Sequence, residues 1–142
     1  DTESAEMDLE LNSLTEKIIG AAIEVHKHLG PGLLESAYEV CLAEEFTAIG
    51  LVFQKQKPLP LSYKGRLVDA AYRLDFVVND SVLLEIKSVA NLEPIHEAQV
   101  LTYLRLSRLP VALLINFNVP LLRQGLKRFV LTAPSTHSAT PR

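Results

Sequence analysis

Tyr72-Arg-Leu-Asp-Phe-Val-Val-Asn-Asp-Ser-Val-Leu-Leu-Glu-Ile-Lys87 is the stretch that decides the fold. It reads as two β-strands joined by a tight turn, with Asp75 in the first strand and Glu85 and Lys87 in the second. Side chains alternate along a strand, so Glu85 and Lys87 share one face while Val82, Leu84 and Ile86 take the other. Register decides whether Asp75 joins them. A two-residue loop at Asn79-Asp80 pairs residue 75 with 84 and puts Asp75 and Glu85 on opposite faces. A three-residue loop, Asn79 to Ser81, pairs 78 with 82 and therefore 75 with 85. Loops of that length need a residue in the left-handed region, which Asn and Asp tolerate. The sequence therefore predicts the three-residue loop or an equivalent bulge. Charges in so apolar a segment are costly to bury unless they are paired or hold a metal. Two carboxylates and an ammonium on one sheet face make a divalent-metal site with an adjacent cation. The same residues also admit a plainer arrangement, a strand pair with one salt bridge and a solvated edge.

The rest of the chain bounds the possibilities. At 142 residues, 48% hydrophobic and 22% charged, it is one domain with a sizeable core and not a disordered segment. Trp is absent and aromatics are few, so the core is expected to be aliphatic. No apolar run approaches the roughly 18 residues of a membrane span, and the acidic start is unlike a signal peptide. A single Cys excludes an internal disulfide and suits a cytoplasmic protein. That residue, Cys41, lies in an amphipathic helix and reads as a small buried hydrophobe rather than a nucleophile. The net charge of −3 is unevenly spread: residues 1–12 hold five acids and no base, whereas residues 51–131 carry 11 bases against 6 acids. The basic half is compatible with phosphate binding.

In chain order, residues 1–12 are expected to form an acidic flexible segment, 13–131 the folded domain and 132–142 a disordered tail. Leu14 to Leu29 has helical periodicity, with Ser13 or Thr15 as cap. Gly30-Pro31-Gly32 stops it, and a second helix runs from Leu33 to Ile49 before Gly50. Strands follow at Leu51–Lys57, at Leu61–Tyr63 before a Lys64-Gly65 turn, and around Asp75 and Glu85. Pro58 and Pro60 suggest a sheet edge. A helix is expected from about Ile95 to Ser107, an apolar central strand from Pro110 to Asn116, and a last strand at Leu126–Leu131. The order α-α-β-β-β-α-β-β predicts an α/β (α+β) layout with helices packed on one sheet. His26 and His28 sit in the last turn of the first helix, where positive charge favours the dipole end. His96 at a helix start reads as a surface or packing residue.

Gly32-Leu-Leu-Glu35-Ser-Ala-Tyr38 spells G-x-x-E-x-x-Y, preceded by Val25-His26 and Leu29-Gly30-Pro31-Gly32. With Asp75, Glu85-Ile86-Lys87, His96-Glu97-Ala98-Gln99 through Tyr103-Leu104, and Ile115-Asn116-Phe117, the chain resembles the GxxExxY protein family, a branch of the PD-(D/E)XK superfamily. The resemblance spans about residues 14–131. It implies a restriction-endonuclease-like core, a mixed sheet flanked by helices. Within it Glu35 would be the early helix acid, Asp75 and Glu85 the metal carboxylates, Lys87 the catalytic cation and Gln99 a contribution from the following helix. Tyr38, Tyr103 and His26 are candidates for supporting the site from behind, the two tyrosines being equally readable as core aromatics.

The chemistry implied is divalent-metal-dependent hydrolysis of phosphodiester bonds. Mg²⁺ or Mn²⁺ would be held by Asp75, Glu85 and the Ile86 carbonyl, with Glu35 direct or through water. The partner is nucleic acid, DNA ahead of RNA, with no membrane and with a homodimer possible. Two rivals remain: an inactive module that keeps the fold and binds nucleic acid or protein, and a structural or dimerisation protein.

Overall fold

Apolar residues recur at helical spacing before residue 50 and mostly at strand spacing after it, and the chain folds accordingly. The computed structural model describes residues 2–69 and 72–132. The elements are α1 (Thr2–Leu29), α2 (Glu35–Ala48), β1 (Phe53–Pro58), β2 (Leu61–Tyr63), β3 (Arg66–Val68), β4 (Arg73–Val78), β5 (Val82–Lys87), α3 (Pro94–Ser107), β6 (Val111–Asn116), a single 3₁₀ turn at Leu122–Gly125 and β7 (Leu126–Val130). Five strands form one mixed sheet in the order β1-β4-β5-β6-β7, with β5 and β6 parallel and the other pairs antiparallel. The expected mixed sheet flanked by helices is therefore present.

Alternation along the buried strands divides the interior in two. Val82, Leu84 and Ile86 of β5 and Val111, Leu113 and Ile115 of β6 join Ile18, Val25, Tyr38, Leu42 and Phe46 from α1 and α2. Leu83, Ala112 and Leu114 face the other way, against Val100, Tyr103 and Leu104 of α3. All six residues of β6 are buried, as an inner strand between two covered faces requires. β1, with its terminal Pro58, is an edge strand, as the prolines suggest. The core is not wholly aliphatic: Phe46, Phe53 and Phe76 meet edge to face, with centroids 5.3–5.8 Å apart.

Four expectations need correction. Helix α1 begins at Thr2 rather than near Leu14, so the acidic segment at 1–12, expected to be flexible, is helical where described. Acids at a helix start favour its dipole, and Leu11 of this segment packs against the core while the Arg128 guanidinium donates to Asn12 Oδ1 at 3.0 Å. Thr15 consequently lies inside the helix, donating to the Asn12 carbonyl at 3.0 Å, and neither it nor Ser13 is a cap. The second helix starts at Glu35 and not Leu33, because the chain is still extended at Leu34. Strand count also differs: Lys64 and Gly65, both at positive φ, close a separate β2–β3 hairpin that stands outside the main sheet. The tail expected at 132–142 lies, apart from Thr132, outside the described residues.

The end of α2 follows its sequence signal. Gly50 adopts φ 79, its N–H donates to the Thr47 carbonyl at 3.1 Å and the Leu51 N–H to the Phe46 carbonyl at 2.9 Å, which closes the helix with paired orphan carbonyls. The corner between α1 and α2 is held by Tyr38. Its hydroxyl donates to the Gly30 carbonyl at 2.6 Å and accepts from the Leu33 N–H at 3.2 Å, while its ring stacks on Phe117 at 4.5 Å. Among the described residues no helix is long and apolar enough to cross a membrane.

Gly125 provides a test of packing. A Cβ built there would meet the Asn116 carbonyl oxygen at 2.1 Å, so one backbone must move. Gly125→Ala should cost about 1–3 kcal/mol, read as a lower Tm in thermal unfolding. An unchanged Tm would mean that β6 and the 3₁₀ turn do not pack this closely.

Candidate active site

The β4–β5 turn settles the register. Val78 pairs with Val82, Val77 with Leu83 and Phe76 with Leu84, a three-residue loop. Asn79 and Asp80 both take φ 51, the left-handed conformation these two residue types tolerate. Asp75 and Glu85 consequently stand opposite one another on neighbouring strands.

Beyond the Phe76–Leu84 pair the backbone ladder gives way to side chains. The Asp75 N–H donates to Glu85 Oε2 at 2.9 Å, and the Ile86 N–H donates to Asp75 Oδ2 at 2.8 Å. Each carboxylate thus replaces a carbonyl that the partner strand would have offered. β5 meanwhile continues to Lys87 on its other side, paired with Asn116 of β6. The site sits where β4 leaves β5.

The electrostatics are those of two crowded negative groups, Glu85 buried and Asp75 half-buried. Glu85 is 4% exposed. Burial first, then the Asp75 carboxylate, push its carboxyl from 4.5 up to about 8, against the Asp75 N–H and Lys87. Asp75 is raised as well, chiefly by burial; the Ile86 N–H opposes this, and the charges of Glu39 and then Glu35 add to it. The Lys87 ammonium lowers both carboxyls and donates to Gln99 Oε1 at 3.4 Å. Gln99 Nε2 in turn donates to the Tyr103 hydroxyl at 3.0 Å, so α3 orients the amide from behind. Burial, then Glu85, raise the Tyr103 hydroxyl, which stays protonated.

The structure thus brings Asp75, Glu85, Lys87, Gln99 and Tyr103 together. Glu35 is exposed at the first position of α2 and acts on the pair only as a more distant repulsion. Tyr38 belongs to the α1–α2 corner. His26 is buried with Nε2 2.8 Å from the Val119 carbonyl, so it supports the loop after β6. His28 Nδ1 meets its own helix at the Glu24 carbonyl, and His96 Nδ1 accepts the Glu93 N–H at 2.9 Å, holding the start of α3. The alternative of one salt bridge on a solvated edge does not describe this arrangement, because the carboxylates are largely buried and bonded to backbone.

Two residues at the site were not foreseen. Glu39 lies one helical turn beyond Glu35, a spacing that could have placed it on the same face. Gln56 of β1 donates through Nε2 to Glu39 Oε1 at 2.8 Å and to Asp75 Oδ1 at 3.4 Å. Its backbone φ of 51 has no local sequence signal.

Among the described residues no three His, Cys, Asp or Glu side chains are arranged to hold a metal. Two hard carboxylates beside an ammonium nevertheless fit a divalent ion of the Mg²⁺ type, which keeps several waters and takes only one or two protein carboxylates. The charge excess that raises both carboxyls is what such an ion would offset.

A sequence profile of the PD-(D/E)XK nuclease superfamily matches residues 12–129. No curated protein and no solved structure matches the chain.

The raised Glu85 carboxyl predicts a pH dependence. Folding favours its protonated form, so this contribution is full below the unfolded value near 4.5 and is lost as pH rises through about 8. In chelator, wild-type Tm should fall between pH 5 and 8. Glu85→Gln keeps an acceptor for the Asp75 N–H, so it should raise Tm at pH 8 by roughly 5 °C or more, with the gap closing toward pH 5. Equal Tm values at pH 8 would show that Glu85 is not held uncomfortably charged.

Proposed function

The chain belongs to the PD-(D/E)XK nuclease superfamily, and from that membership we propose that it is a divalent-metal-dependent nuclease of the GxxExxY branch. The observation that carries the reading is the reciprocal Asp75–Glu85 pair in the fork of β4 and β5, with Lys87 two residues further on the same face. The G-x-x-E-x-x-Y run from Gly32 to Tyr38 supports the narrower branch.

The reaction is hydrolysis: a water gives up a proton to solvent as its oxygen adds to phosphorus, the bond to the leaving oxygen breaks, and that oxygen takes a proton from solvent. Asp75 and Glu85 would hold Mg²⁺ or Mn²⁺, which when bound supplies Lewis-acid charge for the phosphate and lowers the pKa of a water. Lys87 aligns the attacking water and offsets the negative charge that grows on the phosphoryl oxygens. Gln99, anchored on Tyr103, holds the Lys87 ammonium in place from the α3 side. Tyr103 excludes water from the α3 side. Glu35, exposed at the start of α2, would assist the ion through water. The substrate is nucleic acid, with DNA favoured; exposed Lys55 and Arg73 on β1 and β4 and Lys64 and Arg66 on the β2–β3 hairpin offer phosphate contacts.

Cleavage of labelled single- and double-stranded DNA and RNA in Mn²⁺ tests this. Lys87→Ala should lower the rate about 100- to 1000-fold while leaving Mn²⁺ affinity close to wild type, because an ammonium is not a ligand. Asp75→Ala should weaken both, since it removes a carboxylate from the ion. Wild-type cleavage by Lys87→Ala would sink the assignment, and binding of nucleic acid with no cleavage by any protein would make this a binding module.

A further inference from the structure

We propose that Gln56 is a positioning residue of the carboxylate site, anchored on Glu39 of α2, and that cation affinity depends on this pair. The proposal rests on the nuclease reading above and assigns roles to two residues which that reading does not use.

The register of β1 on β4 sets Gln56 opposite Asp75, between the Lys55–Phe76 and Lys57–Leu74 pairs. Gln56 is nevertheless not extended, with φ 51. The other described non-glycine residues at positive φ lie where a turn or helix end calls for it: Lys64, Asn79 and Asp80 in hairpin turns, and Arg108 at the end of α3. Gln56 alone takes it inside a strand, although a Gln has no side-chain reason to prefer it. A backbone held in an unfavourable conformation at a cluster of charges is the kind of outlier that function retains.

What the conformation achieves is visible at the side chain. The amide nitrogen lies 2.8 Å from Glu39 Oε1 and 3.4 Å from Asp75 Oδ1. Both neighbours are carboxylates that accept only, so the NH₂ group, with two hydrogens, is the end of the amide that must face them. Of the two acids of α2, Glu39 raises Asp75 more than Glu35 does. Gln56 therefore stands between two like charges and restrains the Asp75 oxygen that Ile86 does not hold. The short contact to Glu39 is the anchor, and the longer one to Asp75 sets the direction in which that carboxylate is presented.

The experiment compares the full chain with Gln56→Gly, Glu39→Ala and the double variant, measuring Tm in chelator, Mn²⁺ affinity by titration calorimetry, and cleavage rate. Glycine accepts the left-handed backbone, so Gln56→Gly should melt at or above the wild-type temperature. Its Mn²⁺ affinity should nonetheless fall about 10- to 100-fold, with cleavage falling alongside. Glu39→Ala should weaken Mn²⁺ binding in the same direction, and the double variant should lose little more than the larger single loss, since the two act as one unit. Wild-type Mn²⁺ affinity in Gln56→Gly, or fully additive losses, overturns this inference and leaves the nuclease reading standing. Should Gln56→Gly fail to fold, Glu39→Ala decides alone, and wild-type affinity there overturns the inference. A wild-type chain that neither binds Mn²⁺ nor cleaves any substrate overturns the nuclease reading itself, and this inference with it.

Discussion

Two carboxylates occupy places in a β-ladder. The Asp75 and Ile86 N–H groups lie where β4 parts from β5; the first is satisfied by the Glu85 carboxylate facing it and the second by the Asp75 carboxylate. A buried backbone N–H left without a partner costs about 1–3 kcal/mol, and a bond to a charged acceptor returns somewhat more than a neutral one. The sheet can therefore open at this point only because Asp75 and Glu85 are there to close its hydrogen bonds. Two negative charges side by side repel, however, and burial together with the Asp75 charge pushes the Glu85 carboxyl up to about 8. Structure and chemistry are coupled at this fork: the same carboxylates that terminate the ladder create the demand for positive charge.

The surrounding elements keep the fork from collapsing. Lys87 remains in register with Asn116, and its carbonyl accepts the Phe117 N–H at 2.9 Å. Asn116, 2% exposed, then clamps the chain leaving the site, accepting the Val89 N–H and donating to the Val89 carbonyl. On the other side the Ser88 hydroxyl donates to the Leu33 carbonyl at 2.5 Å, tying that segment to the corner that Tyr38 braces. Tyr38 thus acts on the start of α2, where Glu35 and Glu39 stand, and not on the carboxylates directly. The G-x-x-E-x-x-Y run reads as a structural device at its tyrosine and as an electrostatic one at its glutamate.

Much of this was legible in the sequence because local chemistry wrote it there. Asn79 and Asp80 tolerate left-handed backbone, which fixed the loop length and with it the meeting of Asp75 and Glu85. Gly50 marked the end of α2, and the unbroken apolar run of β6 marked an inner strand. The misses share a different cause. The helical start of α1 has no cap signal, and its order comes from Leu11 and Asn12 packing on distant parts of the chain. His26 carries no mark of its 93-residue reach to Val119. Gln56 is invisible for the same reason, since its conformation is imposed by two carboxylates from elements far apart in sequence. Local propensity is readable from one segment; a residue strained by its neighbours is readable only once those neighbours are in place.

Stability and the proposed cation binding would accordingly pull in opposite directions across pH. Folding of the free protein favours a protonated Glu85, whereas holding a cation needs it charged. Protons and a divalent ion would therefore compete for one deficit of positive charge. Lys87 cannot remove the deficit alone: its attraction is outweighed at both carboxyls by burial, and its ammonium is drawn toward Gln99. Had the cation partner been nearer, the pair would be neutral and content, and the site would have little affinity for an ion or for a phosphate carrying one. With Lys87 bonded to Gln99 the carboxylates stay under-compensated, and that imbalance is what a bound cation would relieve.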